Sequence, residues 1–287
     1  MSEKKKIVCL YHNDMDGITS ALVVKKYFKD DTVEFVKCDY GNEEDIMSKS
    51  IDYDKLIMVD FSMSPDNMEN LSHLYGNNFF WIDHHITAIE KISKKLIIEG
   101  VRSIENAGCM LTWKYFFKDK TPPWAVFLAE DYDMWWFKDG YTKQYGEWFN
   151  ATIKTPYDLS VVNVFEMDEK KIVDEICSVG NILLQAKQVR IEKSFEDGCD
   201  TLFEGHKTRV INTNHDASNV GEYCYKDKGY AIALMWSLRG NKIIIGLRSN
   251  SVDVGAIAKK YGGGGHKFAS GFTWDDIIEF SELIYEA

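Results

Sequence analysis

Residues 6–17 read KIVCLYHNDMDG, an apolar run that ends in one imidazole and two carboxylates. Residues 6–11 suit a strand buried on both faces. His12, Asp14 and Asp16 follow at once, and Gly17 lets the chain turn into a helix over 17–29, with apolar residues at 18, 21, 22, 24, 27 and 28. The pattern recurs in LIMVD, which ends in Asp60, and in FFWIDHH, which ends in Asp83, His84 and His85. A further segment, LAEDYDMW, adds Asp131 and Asp133. Buried strands that end in charged groups are costly, and a cation seated between those charges removes the cost.

Outward from these runs, strands at 6–11, 32–37, 55–59 and 78–82, with a fifth at 95–98, alternate with helices at 17–29, near 43–50 and near 64–75. This is the signature of βαβ units and a parallel sheet. Helices follow near 107–118 and 123–135, with Pro122 and Pro123 in the first turn of the second. Residues 167–197 read as one long, charge-rich amphipathic helix that connects two domains. Beyond it come strands at 208–213, 229–236 and 241–248, a short helix at 253–260, a glycine loop at 262–265 and a last helix at 275–286. The expected architecture is α/β: a parallel-sheet domain over 1–165, a helical connector over 166–200, and a smaller α/β domain over 201–287.

The chain has 287 residues, 45% hydrophobic and 14% aromatic, enough for a substantial core. Its net charge of −11 argues against an extended grip on duplex nucleic acid, but not against a small anionic substrate held by metal. No apolar run approaches the roughly 20 residues that cross a bilayer, and the N-terminal stretch runs straight into the first strand rather than forming a signal peptide. Six scattered cysteines without a CxxC pair read as reduced thiols of a cytoplasmic protein.

In an open parallel sheet the carboxyl ends of adjacent strands share one crevice. Carboxylates mixed with imidazoles suit Mn²⁺, Zn²⁺ or Fe²⁺, and the excess of oxygen donors favours Mn²⁺. Five or more donors exceed the needs of one tetrahedral ion, so two ions roughly 3.5–4 Å apart fit better. Each piece also has a plainer reading. A single DxDG is ordinarily a turn, and Asp60 before FSMSP could be a helix N-cap. Chain order and repeated placement at strand ends favour the metal reading.

With these residues in place, the chain resembles the DHH family of phosphoesterases. The HxDxDG motif matches residues 12–17, an Asp closing an apolar strand matches Asp60, and the DHH triplet matches Asp83, His84 and His85. An Asp after an apolar helix matches Asp131, with Asp133 as a rival. The stretch GLRSNSVDVGAIAKKYGGGGHKFASGF resembles the DHHA1 domain, with Ser270 where a second Ala is usual. Nothing in 135–165 finds a counterpart. The resemblance implies two Mn²⁺ ions (Mg²⁺ or another divalent ion being compatible), one held by His12, Asp14, Asp60 and Asp131, the other by Asp16, Asp60, His84 and Asp131. It further implies that His85 contacts the scissile phosphate and that Asp83 orients the neighbouring imidazole.

In the second half, four consecutive glycines allow backbone N–H groups to approach an anion. The expected substrate contacts are Gly263, Gly264, Gly265 and His266, with Arg248 as a bidentate phosphate ligand and Ser249 and Asn250 adding neutral hydrogen bonds. Tyr132, Trp135 and Trp136 either stack a base or pack an interior.

The function implied is Mn²⁺-dependent hydrolysis of short oligonucleotides to 5′-mononucleotides, as in the oligoribonuclease branch. The rival substrates are cyclic or linear dinucleotides, followed by longer single strands in the manner of RecJ. An inactive DHH binding subunit is the alternative outside enzymology. No membrane partner and no stable duplex binding are expected, and a homodimer is compatible with the sequence.

Overall fold

The apolar runs of the first half pair side by side. β1 (Lys6–His12) lies between β2 (Thr32–Cys38) and β3 (Lys55–Val59), and β4 (Phe79–Ile82) completes the order β2-β1-β3-β4. All three pairings are parallel. Tyr11 pairs with Val59, and Val59 with Ile82. His12, Asp60 and Asp83 are therefore the next residues along one edge of the sheet. The computed structural model describes residues 4–39 and 41–285; it divides into two compact units, Met1–Leu184 and Gln185–Ala287.

Alternation along the strands sends successive side chains to opposite faces, and both faces are covered. Ile7, Cys9 and Tyr11 join one core with α1 (Met15–Tyr27), while Val8 and Leu10 join the other with Met68 and Leu71. The second core is closed by α2 (Glu43–Ser48), α3 (Pro65–Tyr75) and α4 (Ile86–Ile92). The first gathers α5 (Gly108–Phe117), α6 (Trp124–Asp133), α7 (Thr142–Thr152) and α8 (Pro156–Val162) around α1. The last two occupy the stretch for which the sequence offered no counterpart. α8 carries a full capping box between Thr155 and Asp158, with Pro156 in its first turn.

The fifth strand expected at 95–98 does not form. Lys95 and Leu96 turn back onto the Ile92 carbonyl, and Ile97 is fully exposed. The chain meets β4 slightly later, through isolated bridges from Glu99 to Phe80 and from Arg102 to Asp83. Gly100, at φ +126°, permits this approach, because a Cβ there would overlap the Trp81 carbonyl.

The helix expected over 167–197 is present as α9 (Glu169–Lys171), a π-helical stretch (Ile172–Cys177) and α10 (Ser178–Glu196). Ile172, Ile176 and Cys177 belong to the first core, and the boundary between units falls inside α10. The second unit is a six-stranded sheet in the order β5-β6-β7-β8-β10-β9, made of β5 (Cys199–Phe203), β6 (His206–Asn212), β7 (Ile232–Arg239), β8 (Lys242–Arg248), β9 (Gly264–His266) and β10 (Ala269–Trp274). Its helices are α11 (Ala217–Glu222), α12 (Val254–Lys260) and α13 (Ile277–Tyr285). Residue 286 of the expected last helix lies outside the described residues. β5 and β10 escaped the sequence reading: the first alternates exposed residues, and the second opens on Ala-Ser-Gly, a poor strand signal. Five of the six cysteines are buried. Among the described residues no helix is long and apolar enough to cross a membrane.

Gly180 of α10 lies against the backbone of α7, where a Cβ would overlap the Gln144 carbonyl. Gly180→Ala improves helix propensity by about 1 kcal/mol, but the overlap costs about 1–3 kcal/mol or more. A net loss of stability in urea unfolding is expected; a gain would contradict the packing described.

Candidate metal centre

The edge formed by the ends of β1, β3 and β4 collects the charged residues at short range. Asp14 leaves β1 as the N-cap of α1, accepting from Gly17 N at 2.9 Å, and its other oxygen lies 2.7 Å from His12 Nδ1. Gly17 is needed for space rather than for a turn, because a Cβ there would overlap the His12 carbonyl. Asp16, in the first turn of α1, is fixed by the N-terminus of α5: Gly108 N and Cys109 N donate to its two oxygens at 2.6 and 2.7 Å. Asp60 sits at the end of β3 with φ +52°, a strained value for a non-glycine residue, and is fully buried. It is not an N-cap; Ser64 precedes α3.

After β4, Asp83 is buried and accepts from His84 N at 2.8 Å and His85 N at 3.2 Å, with His85 Nδ1 2.7 Å away. His84 Nε2 reaches Asp60 at 3.2 Å, Asp133 at 3.6 Å and Asp16 at 3.8 Å. Three donor groups with metal-ligand spacing result: His12 with Asp14 and Asp60; Asp16 with His84 and Asp133; and Asp60 with His84 and His85. Asp60 belongs to two of them and touches the third through His84.

Asp133, not Asp131, is the α6 residue in this cluster. Two residues are about 200° apart around a helix, so only one of the pair can face the sheet edge. Asp131 instead accepts from Lys138 N at 3.0 Å, Asp139 N at 3.1 Å and the Thr142 hydroxyl. The assignment of Asp131 to both ions is corrected accordingly. The loop after α6 decides the matter, because its N–H groups need a buried acceptor and Asp131 supplies one.

Burial and the crowding of like charges dominate the electrostatics of this cluster. Burial, reinforced by Asp16 and Asp14, pushes the Asp60 carboxyl well above the usual range. Burial and the same two neighbours raise Asp133 to about 8. Asp16 is raised by burial despite His84. For Asp14, burial is outweighed by the hydrogen bond and charge of His12, and its pKa falls. Neither oxygen of Asp60 has a hydrogen-bond partner among the described residues. Three acids and three imidazoles around the buried Asp60 carboxylate fit divalent cations.

Sequence reasoning missed Gly108. A Cβ at this position would lie 2.7 Å from Asp60 Cβ and 2.9 Å from Asp16 Oδ2, so only glycine lets α5 close on both carboxylates. Its signal was a glycine opening a helix with no N-cap side chain ahead of it.

Residues 6–130 match the DHH family, N-terminal domain, and residues 208–287 match the DHHA1 domain. The chain carries a DHH domain and a DHHA1 domain. The protein is 27% identical over 293 residues to an uncharacterised protein of Acanthamoeba polyphaga mimivirus, covering 94% of this chain and 68% of that one. It is 23% identical over 293 residues to the oligoribonuclease NrnB of Bacillus subtilis, covering 93% and 72%. Its fold resembles the pGpG-specific phosphodiesterase PggH of Vibrio cholerae, with a TM-score of 0.61, 14% identity, and 98% of each chain covered. It also resembles a RecJ exonuclease bound to manganese, with a TM-score of 0.52, 15% identity, and 97% and 88% covered.

In the DHHA1 domain the expected substrate residues divide. Gly264 to His266 form edge strand β9 rather than a free loop. Gly263 and Gly265 are glycines because β10 packs against them, a Cβ meeting Gly271 O and Ser270 respectively. Gly264 borders open space, and His266 is exposed. Ser249 is buried and committed: its hydroxyl donates to Ala231 O and accepts from Ser251 N and Val252 N, so the substrate contact expected of it is withdrawn. Arg248 packs its stem beside Gly221 and donates to Leu247 O. Asn250 is exposed. Ser270, the departure from Ala, donates to Val254 O at 2.6 Å.

Two outcomes follow for the metal-free protein titrated with Mn²⁺ in a calorimeter. Asp133→Asn weakens binding about 100-fold, whereas Asp131→Asn mainly lowers stability, by about 1.5–3 kcal/mol for its charged hydrogen bonds; the reverse order would restore Asp131 as ligand. A carboxyl raised to about 8 is protonated at pH 7, so cation binding expels protons and the apparent affinity climbs as pH rises towards 8. A binding enthalpy that is the same in buffers of different ionisation enthalpy would contradict this.

Proposed function

We propose that the protein is a divalent-metal-dependent phosphodiesterase that hydrolyses short oligonucleotides to 5′-mononucleotides, with water as nucleophile and Mn²⁺ as the preferred ion. The observation that carries this reading is the convergence of the three donor groups on Asp60. The similarity to oligoribonuclease NrnB supports the substrate class, and the manganese in the RecJ structure is compatible with the donor set. When bound, the cations would supply Lewis-acid activation of water and neutralise phosphate oxygens.

The protein's own residues would do the rest. Asp83 holds His85 by Nδ1, and its hydrogen bond and charge push the imidazole pKa up. The protonated ring, which this shift favours, carries a donor at Nε2 for a phosphate oxygen or the leaving group. The backbone N–H groups of Gly108 and Cys109 keep Asp16 in place without consuming a side chain. In the DHHA1 domain, Arg248, Asn250, Gly264 and His266 remain as the groups proposed to contact substrate. The net charge of −11 is compatible with a small substrate and not with a long electrostatic track.

A turnover panel in Mn²⁺ tests this, comparing an RNA dimer, a pentamer, a long single strand and a cyclic dinucleotide. Fastest conversion of the dimer and pentamer to mononucleotides is expected, with His85→Ala lowering kcat roughly 100-fold or more. Preference for the cyclic dinucleotide or the long strand would replace the substrate class. No turnover of any of them would overturn the enzymatic reading.

A further inference from the structure

The loop after α6 leaves two tryptophans at the surface, Trp135 at 51% and Trp136 at 39% exposure. Large aromatics in solvent gain nothing for folding, and here the backbone is also strained. Trp135 has φ +56° and Phe137 +50°, a region bulky residues rarely enter. The conformation is held from below. The Asp131 carbonyl accepts from Trp136 N at 3.0 Å and Phe137 N at 3.4 Å, while its carboxylate gathers Lys138 N, Asp139 N and the Thr142 hydroxyl. One buried acid therefore fixes the shape of the whole loop.

That loop begins two residues after Asp133, which sits in the metal-ligating cluster. Its rings form a set: Trp135 meets Tyr132 and Phe137 edge-on, at 6.1 and 4.7 Å between centroids. Lys138 Nζ stands 3.9 Å from the centre of the Trp136 ring, and Lys143 Nζ 5.0 Å from that of Phe137. Exposed indoles with ammonium groups beside them match a nucleotide, which offers a flat base and an anionic phosphate. Strain that the surrounding structure over-determines is found where a ligand is received.

We propose that the loop carrying Trp135 and Trp136 is the nucleobase subsite of the active centre. An indole of this loop stacks on the base next to the reacting phosphate, and Lys138 meets an adjacent phosphate. Stacking uses the face shared by all bases, so the subsite tolerates sequence and selects against diesters that lack a base. This deepens the phosphodiesterase reading above and rests on it.

The test is calorimetric binding of adenosine 5′-monophosphate and of ribose 5-phosphate to the full chain with Mn²⁺ present. The unsubstituted protein is expected to bind the nucleotide about tenfold more tightly. The pair Trp135→Ala and Trp136→Ala together should bring the two affinities within threefold of each other, and the Phe pair should keep most of the difference. Equal affinities in the unsubstituted protein, no binding of either ligand, or an unchanged ratio in the Ala pair would each overturn the proposal. So would an equal loss for both ligands, which marks general damage. Failure of the phosphodiesterase reading shows separately, as absent turnover in the panel above.

Discussion

Mutual repulsion among buried carboxylates at one sheet edge is the constraint around which the first unit is built. Two unit charges 4 Å apart interact by about 4 kcal/mol at an effective dielectric constant of 20, against a total stability of about 5–15 kcal/mol for a typical domain. Asp14, Asp16, Asp60 and Asp133 cannot all be ionised there without compensation. Burial and this crowding push the carboxyls of Asp60, Asp16 and Asp133 above their usual range. The fold still delivers all four to one place, from a strand end, a helix cap, a first turn and a helix terminus. Divalent cations would resolve this conflict, and a site built to hold them would also be equipped to act on phosphate.

The supporting structure shows the same bias. α5 comes close enough to clamp Asp16 only because residue 108 lacks a side chain. Asp83 gives up a buried carboxylate to align two N–H groups and one imidazole. α6 carries two acids with opposite duties: Asp133 faces the cluster, and Asp131 shapes the loop beyond it. Positive φ at Asp60, Trp135 and Phe137 places strain at this centre and in the loop that follows it.

Much of the fold was legible because its signals are strong. Three apolar runs, each ended by a charge, could be read as parallel strands, and the residues that follow them lie along one sheet edge. The choice between Asp131 and Asp133 was not legible, because it depends on N–H groups seven and eight residues further on. The strand at 95–98 failed for a related reason: LII has strand composition, but the turn back onto Ile92 removes it from the sheet. The glycine run looked like an anion cradle, and half of its glycines answer to the packing of β10. Ser249 looked available until its hydroxyl was found to close a turn. In each case the missing information was a specific hydrogen bond or packing contact that residue type and periodicity do not encode.

The most direct test of the account is a crystal of the protein grown with Mn²⁺, with anomalous diffraction collected at the manganese edge. The account predicts two peaks roughly 3.5–4 Å apart, one ligated by His12, Asp14 and Asp60, the other by Asp16, His84, Asp133 and the shared Asp60. A single peak elsewhere on the chain, or ligation by Asp131 in place of Asp133, would contradict it.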